Sequence, residues 1–154
     1  MQKKIRLVFL YITITTLVAA QYNNKQLPPL LPQPQKVTWN LNNHFELHNK
    51  CVPEHLLNIE LVGEIKEATV NQNEAYKLII TKDSVFIKAI TDTGVYRAKQ
   101  TLNQLIESSS NKTSIPLCEI TDWPSFRIRG FMHDIGRSDI SVDELKKHIR
   151  LLSK

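Results

Sequence analysis

The spacing of apolar residues changes between residues 76 and 106, and this change constrains the fold more than any other feature of the sequence. Tyr76–Thr81 and Val85–Ile90 carry apolar side chains at every second position, which is the period of a β-strand. Between them, Lys82-Asp83-Ser84 has the composition of a turn. The two segments are therefore predicted to pair as a hairpin with one apolar face.

A helix is predicted directly after this hairpin. Apolar residues recur there at spacings of three and four, which puts them on one helical face: Val95, Ala98, Leu102, Leu105 and Ile106. Asp92 or Thr93 is expected to cap the N-terminus, and Ser108–Asn111 to end the helix. The apolar face favours a structural role, in which the helix covers the sheet.

Further strands are predicted on both sides of the hairpin and helix. Short runs of strand-forming residues occur at Val37–Trp39, Phe45–His48, Ile59–Val62 and Ile115–Thr121, and Pro53–Asn58 fits one helical turn. Residues 36–124 are therefore expected to form an α+β domain, with an antiparallel sheet and one covering helix.

The N-terminus has the pattern of a secretory signal peptide. Lys3, Lys4 and Arg6 precede an uncharged run that ends in small residues at Val18 and Ala20. Residues 1–20 are therefore predicted to be a signal peptide that exports the protein to the periplasm, the cell surface or the medium. An uncleaved membrane anchor is the alternative. Residues 21–35 form a Pro-rich lead-in that favours extended backbone, and a disordered leader fits the sequence equally well up to Pro29.

Export changes the meaning of the net charge. The full chain carries +5, but without its three basic residues in the signal segment it keeps 17 basic against 15 acidic side chains, or +2. No downstream cluster of Lys and Arg with interleaved aromatic residues is present. We therefore expect no nucleic-acid partner, and contact with a membrane only through the signal segment.

Cys51 and Cys118 are the only two cysteines. An exported protein can form a disulfide between them, but each also borders an apolar stretch and fits a small buried side chain. The sequence leaves both possibilities open. No Cys-x-x-Cys pair occurs, and we expect neither a metal site nor a cofactor.

The last thirty residues have the pattern of a strand followed by a helix. Residues 127–136 are apolar enough for a strand buried on both faces. Ser141 and Glu144 have the spacing of a capping box, and an apolar stripe then occurs at Val142, Leu145, Ile149 and Leu152. This is half of a βαβ unit, so we expect residues 125–154 to be the start of a second, incomplete domain.

The motif at this junction resembles a known enzyme family. The string DWPSFRIRGFMHDIGR at residues 122–137 is similar to the entry into the catalytic barrel of glycoside hydrolase family 20, the β-N-acetylhexosaminidases. Residues 142–147 resemble the first barrel helix. Residues 31–34 and 94–105 resemble the smaller N-terminal α+β domain of the family. The resemblance covers residues 30–154, and its most specific element is the spacing RG-x-x-x-D-x-x-R.

The resemblance implies a glycosidase of which this chain is the N-terminal portion. The family removes terminal N-acetylglucosamine or N-acetylgalactosamine from glycans by substrate-assisted catalysis, with an Asp-Glu pair on a later strand of a (β/α)8 barrel. The single Asp-Glu dipeptide here, Asp143-Glu144, falls in the first turn of the predicted helix, where acidic residues favour the dipole. We therefore expect no catalytic residue in this chain, and expect it to be inactive without the rest of the barrel.

Arg137 is the residue to which the family motif assigns a substrate contact. It comes after the predicted strand at the face where barrel sites lie, and a guanidinium offers a planar fork of donors for sugar hydroxyls. Asp134 is expected to support Arg137 or the strand end, and His133 to be packed. The implied partners are a glycan ending in N-acetylhexosamine and the remainder of the barrel.

Two other functions are compatible with the sequence. The chain could be a glycan-binding or docking module without catalysis, using Arg137 with Trp39 or Trp123, although both Trp residues fit core or interface positions better. It could also be an inactive remnant of an enzyme.

Overall fold

The computed structural model describes residues 27–110, 112–132, 134, 136 and 140–152. The predicted signal peptide, the first part of the Pro-rich lead-in, His133 and Arg137 lie outside the described residues.

The described chain contains five strands and two α-helices. The strands are β1 (Lys36–Glu46), β2 (Leu57–Leu61), β3 (Tyr76–Ile80), β4 (Val85–Ala89) and β5 (Ser114–Asp122). The helices are α1 (Asp92–Ser108) and α2 (Val142–Leu152), and short 3₁₀ turns occur at Glu54–Leu56 and Gln72–Glu74. The predicted hairpin is confirmed as β3 and β4, and the predicted covering helix as α1. Neither of the described helices is long and apolar enough to cross a membrane.

The five strands form one mixed sheet in the order β1-β5-β3-β4-β2. Four of the strands pair antiparallel, but β2 runs parallel to β4, with Leu57 opposite Val85 and Leu61 opposite Ala89. The prediction of an antiparallel sheet is therefore wrong at this edge. The reason is non-local, because β2 pairs with the second strand of the hairpin rather than with the first, which would have given an antiparallel pair.

The first strand is longer than predicted. Val37–Trp39 and Phe45–His48 are predicted as separate strands, but one strand, Lys36–Glu46, joins the first to the start of the second and pairs with β5 near both of its ends. The register shifts between Asn40 and His44, which is the position of a bulge. A bulge adds unpaired residues to one strand, so the alternation of apolar and polar residues is interrupted there. The pairing with β5 nevertheless continues on both sides of the bulge.

One face of the sheet and the apolar stripe of α1 form the core. The largest fully buried side chains come from the edge strand β1, from the three central strands and from the helix: Phe45, Leu78, Val85, Ile87, Leu105, Ile115 and Ile120. Gly94 allows the helix to approach closely, because a Cβ at this position would lie 2.5 Å from the carbonyl oxygen of Ala75. Thr91 caps the helix by accepting a hydrogen bond from the Gly94 amide, so the prediction of Asp92 or Thr93 as the cap is wrong by one or two residues.

The segment after the sheet differs in part from its prediction. No strand occurs in the described part of residues 127–136, and Ile128 and Met132 are about nine-tenths exposed rather than buried. A strand requires neighbours to hydrogen-bond with, and none of the described residues supplies one to this segment. The helix α2 forms as predicted, with the Phe131 ring packed edge-on against His148.

Candidate functional site

A groove of about 330 Å³ lies where the chain leaves β5. Its walls come from the lead-in, from β3, from one side of α1 and from residues 123–129, which we call the exit segment. The groove contains most of the charged and hydrogen-bonded side chains that join the sheet to the C-terminal part of the chain.

The floor of the groove holds a buried network around Tyr76 and Asp122. The Tyr76 hydroxyl lies 2.6 Å from Oγ1 of Thr101 and donates to Oδ2 of Asp122 at 3.3 Å. The other carboxylate oxygen, Oδ1, accepts from the backbone amide of Gln35 at 3.0 Å. Burial raises the pKa of the Tyr76 hydroxyl, and the negative charge of Asp122 raises it further. Burial also raises the pKa of Asp122, although its hydrogen bonds oppose this effect.

One wall of the groove holds an ion triad centred on Glu74. Oε2 of Glu74 accepts from Nε of Arg97 at 3.2 Å and from Nη2 of Arg129 at 2.5 Å. Arg97 belongs to α1 and Arg129 to the exit segment, so one carboxylate joins the helix to the outgoing chain. Burial alone would raise the pKa of Glu74, but the hydrogen bonds and charges of the two arginines outweigh it and lower this pKa.

Two amide side chains also hold the exit segment. Nδ2 of Asn71 donates to the carbonyl oxygen of Pro124 at 2.7 Å, and Nε2 of Gln35 donates to Oγ of Ser125 at 2.8 Å. Arg129 itself donates through Nη1 to the carbonyl oxygen of Phe126. The polar groups of the groove are thus engaged with one another, and the arrangement acts chemically as a brace for the exit segment.

Of the two predicted site residues, Asp134 lies within the described part of the chain. Asp134 is exposed, and its Oδ1 accepts a hydrogen bond from the Gly136 amide at 2.9 Å. Its predicted support of Arg137 is untested, because Arg137 lies outside the described residues. Glu144 accepts from the amide of Ser141 at 3.2 Å, and its own amide donates to the Ser141 hydroxyl at 3.2 Å, so the capping box is confirmed.

The two tryptophans belong to apolar clusters. Trp123 is buried beside Ile65, Ala68 and Ala75, and Trp39 is half-buried against the main core. Both rings pack against apolar side chains, so the core or interface positions expected for them are confirmed.

Both cysteines are free thiols in the structure, with Cys118 buried and Cys51 exposed. Of the two possibilities left open by the sequence, the small buried side chain holds for Cys118. Within the described ranges, no three His, Cys, Asp or Glu side chains cluster closely enough to hold a metal ion.

No local pattern in the sequence marks the three residues of the triad as a group. Arg129 is part of the quoted motif, so its position carried a signal, although its partner was not apparent. Glu74 falls in a 3₁₀ turn outside any periodic pattern, and nothing in its neighbourhood marks it.

A large part of the sheet domain is similar to a known family. Residues 53–123 match the family model described as glycosyl hydrolase family 20, domain 2. A beta-hexosaminidase of Porphyromonas gingivalis is 37% identical over 89 residues, which is 53% of this chain and 12% of that protein. A beta-N-acetylhexosaminidase of Cellulomonas fimi is 35% identical over 82 residues, or 53% of this chain and 16% of that protein. The chain therefore spans only a small part of these relatives.

Solved structures have the same fold. A beta-N-acetylhexosaminidase of Bacteroides fragilis superposes with a TM-score of 0.63 at 22% identity, covering 79% of this chain and 30% of the other. An exo beta-N-acetylglucosaminidase of Vibrio harveyi, in complex with N-acetylglucosamine, superposes with a TM-score of 0.63 at 25% identity, covering 82% and 24%. The sequence matches support a glycoside hydrolase family 20 fragment in which residues 53–123 correspond to domain 2, and the solved structures show that the fold is shared.

Proposed function

We propose that this chain is the N-terminal portion of an exported β-N-acetylhexosaminidase. The enzyme would hydrolyse terminal N-acetylglucosamine or N-acetylgalactosamine from glycans by substrate-assisted, retaining catalysis. The observation that carries this proposal is the order of two features. The match to domain 2 ends at residue 123, and the motif from Arg129-Gly130 to Arg137 begins within a few residues of that end.

Residues 125–154 are proposed as the first strand and helix of the catalytic (β/α)8 barrel. The apolar side chains of this region support the proposal. Eight of them are at least 60% exposed: Phe126, Ile128, Phe131, Met132, Val142, Ile149, Leu151 and Leu152. Large apolar side chains concentrated in one region indicate a surface that another element covers. The remaining βα units of a barrel would cover it, because a first strand needs neighbours on both sides and a first helix packs on the strands.

Within this proposal, Arg137 binds hydroxyls of the terminal sugar and Asp134 supports it. The acid and its Asp neighbour come from a later strand beyond residue 154. Asp143 and Glu144 do not replace them, since Glu144 is engaged in the cap of α2. Residues 1–20 direct export, so the enzyme would meet its glycan outside the cytoplasm.

Two linked measurements test the proposal. The 154-residue chain alone should leave a chromogenic N-acetylhexosaminide intact, because one arginine cannot enclose a sugar or protonate a leaving group. The product of the reading frame extended beyond Lys154 should hydrolyse it. If the next several hundred bases encode no further βα units and no strand-terminal Asp-Glu pair, the proposal fails. Turnover by the short chain would also contradict it.

A further inference from the structure

The exit segment is held against the sheet domain by side chains from two parts of the chain, the lead-in and residues 71–74. Gln35 comes from the lead-in, Asn71 from the loop before β3, and Glu74 from the 3₁₀ turn next to that loop. Of these contacts, the one between Glu74 and Arg129 joins two opposite charges and lies furthest along the outgoing chain.

The backbone and the carboxylate of Glu74 are both held in place by neighbouring residues. Its 3₁₀ turn begins after Asn71, whose backbone is left-handed with φ of 50°, and ends before Ala75, which is fully buried. Arg97 of α1 holds the same carboxylate oxygen from the other side. The Glu74 side chain is only 20% exposed, so the charge pair is partly shielded from water and is stronger than an open surface pair.

Arg129 uses both ends of its guanidinium. Nη2 reaches Glu74, while Nη1 donates to the carbonyl oxygen of Phe126 within the exit segment. One side chain therefore fixes the bend of the exit segment and ties that bend to the sheet domain. A lysine would have to reach both acceptors from one nitrogen, whereas the planar guanidinium offers a separate nitrogen to each.

We infer that Glu74 is a positioning residue that, through Arg129, sets the direction in which the chain enters the barrel. The inference rests on the proposed function for the identity of the domain beyond residue 129, but the contact itself does not. Arg137 lies eight residues beyond Arg129. An exit segment that is free to swing would spread Arg137 over many positions, whereas a sugar site needs its donors placed to within a fraction of an ångström.

Limited digestion of the full 154-residue chain by trypsin tests whether the Glu74–Arg129 contact holds the exit segment on the sheet domain. Cleavage after Arg127 requires the exit segment to leave the sheet domain, so its rate reports the open population. In Glu74→Gln and in Arg129→Met this cleavage should become about fivefold faster, which corresponds to the loss of one partly shielded charged contact. Each substitution removes the Glu74–Arg129 contact, but Glu74→Gln also weakens the pair with Arg97, and Arg129→Met also removes the donation to Phe126. Cleavage of the double variant should therefore be slower than the product of the two single effects, because the shared contact is lost only once.

The measurement has two controls, a control variant and a control cleavage site. Glu60→Gln removes a carboxylate of similar chemistry, whose 2.8 Å ion pair with Lys88 lies on the edge strand, and cleavage after Arg127 should stay unchanged. Cleavage after Lys82, in the hairpin turn, should also stay unchanged in every variant.

Three outcomes would overturn the inference. Cleavage after Arg127 could stay within twofold of the original chain in both single variants. The effects of the two substitutions could add in the double variant. Cleavage after Lys82 could rise in parallel, which would mean that the whole domain had loosened. None of these results depends on hydrolytic activity. The proposed function is tested separately, by the sequence and the activity of the product of the extended reading frame.

Discussion

The Tyr76 hydroxyl donates a hydrogen bond to Asp122 at 3.3 Å, which joins the first residue of β3 to the last residue of β5. The two residues are also paired in register across the sheet. Since Thr101 of α1 lies 2.6 Å from the same hydroxyl, one phenol connects two strands and the covering helix at the point where the chain leaves the sheet.

Removing this hydroxyl should destabilise the domain. In Tyr76→Phe the half-buried oxygens of Thr101 and Asp122 each lose a partner, and we expect the free energy of unfolding to fall by about 2 kcal/mol. Urea unfolding followed by circular dichroism measures the change. Tyr96→Phe is the matched control, because the Tyr96 side chain is 42% exposed and the substitution should cost less than about 0.5 kcal/mol. Equal losses in the two variants would contradict the role of the network.

The close approach of α1 to the sheet predicts that Gly94→Ala is harmful. Alanine favours a helix over glycine by about 1 kcal/mol. The added Cβ, however, would lie 2.5 Å from the carbonyl oxygen of Ala75 and 3.0 Å from Cβ of Ala89. Because backbone cannot yield cheaply, we expect a net loss of about 2 kcal/mol in unfolding free energy. Gly63→Ala is the control, since nothing lies within 4 Å of its added Cβ, and it should be neutral or slightly stabilising. A stabilised Gly94→Ala would be inconsistent with this packing.

Local patterns in the sequence predicted the hairpin, α1 and the capping box of α2, because each depends on residues within about a turn or two of one another. The pairing of β2 with β4 was not predictable in this way. It joins Leu57 to Val85 across 28 positions, and the strand period carries no information on which neighbour a strand selects.

The residues of the candidate site also divide into those that a local sequence pattern marks and those that only the fold brings together. Arg129 and Arg137 could be singled out because they belong to a recognisable motif. The groove itself could not, because Gln35, Glu74 and Asp122 meet only after the sheet has formed, and each has the composition of an ordinary loop or strand end. The exposure of residues 127–132 was not predictable from the sequence either. The pattern of residues 127–132 predicts burial, but the described chain provides no element that covers them.

The ion triad predicts a specific dependence of stability on pH. The pKa of Glu74 is lower in the fold than its ordinary value of 4.5, so the folded state favours the carboxylate. Its stabilising contribution is therefore complete above pH 4.5 and is lost as the pH falls through the lowered value. Between pH 5 and pH 3 the original chain should lose more stability than Glu74→Gln, as measured by urea unfolding at each pH. Glu60→Gln should behave like the original chain. Parallel curves for all three proteins would contradict the prediction.

The two thiols should differ sharply in reactivity. Burial raises the pKa of Cys118 to about 12, so its thiolate is scarce at pH 8 and shielded from reagents. Cys51 is exposed. In the folded protein we expect one equivalent of thiol to react with Ellman's reagent at pH 8, and the second only after unfolding in guanidinium. Cys51→Ser should abolish the fast equivalent. If no thiol reacts even after unfolding, the cysteines are bridged and the free-thiol arrangement is wrong.

Arg137 should matter for activity once the catalytic remainder is present. If the proposed function holds, Arg137→Met in the product of the extended reading frame would remove charged hydrogen bonds to sugar hydroxyls, and we expect kcat/KM for a chromogenic N-acetylhexosaminide to fall about 100-fold. Lys147→Met is the control, because Lys147 is exposed on α2 and its replacement should leave kcat/KM within twofold. Arg137→Lys should recover only part of the loss, since a single ammonium cannot bind two adjacent hydroxyls as a planar fork does. An active enzyme that is insensitive to Arg137→Met would leave the family assignment intact but remove Arg137 from the sugar site.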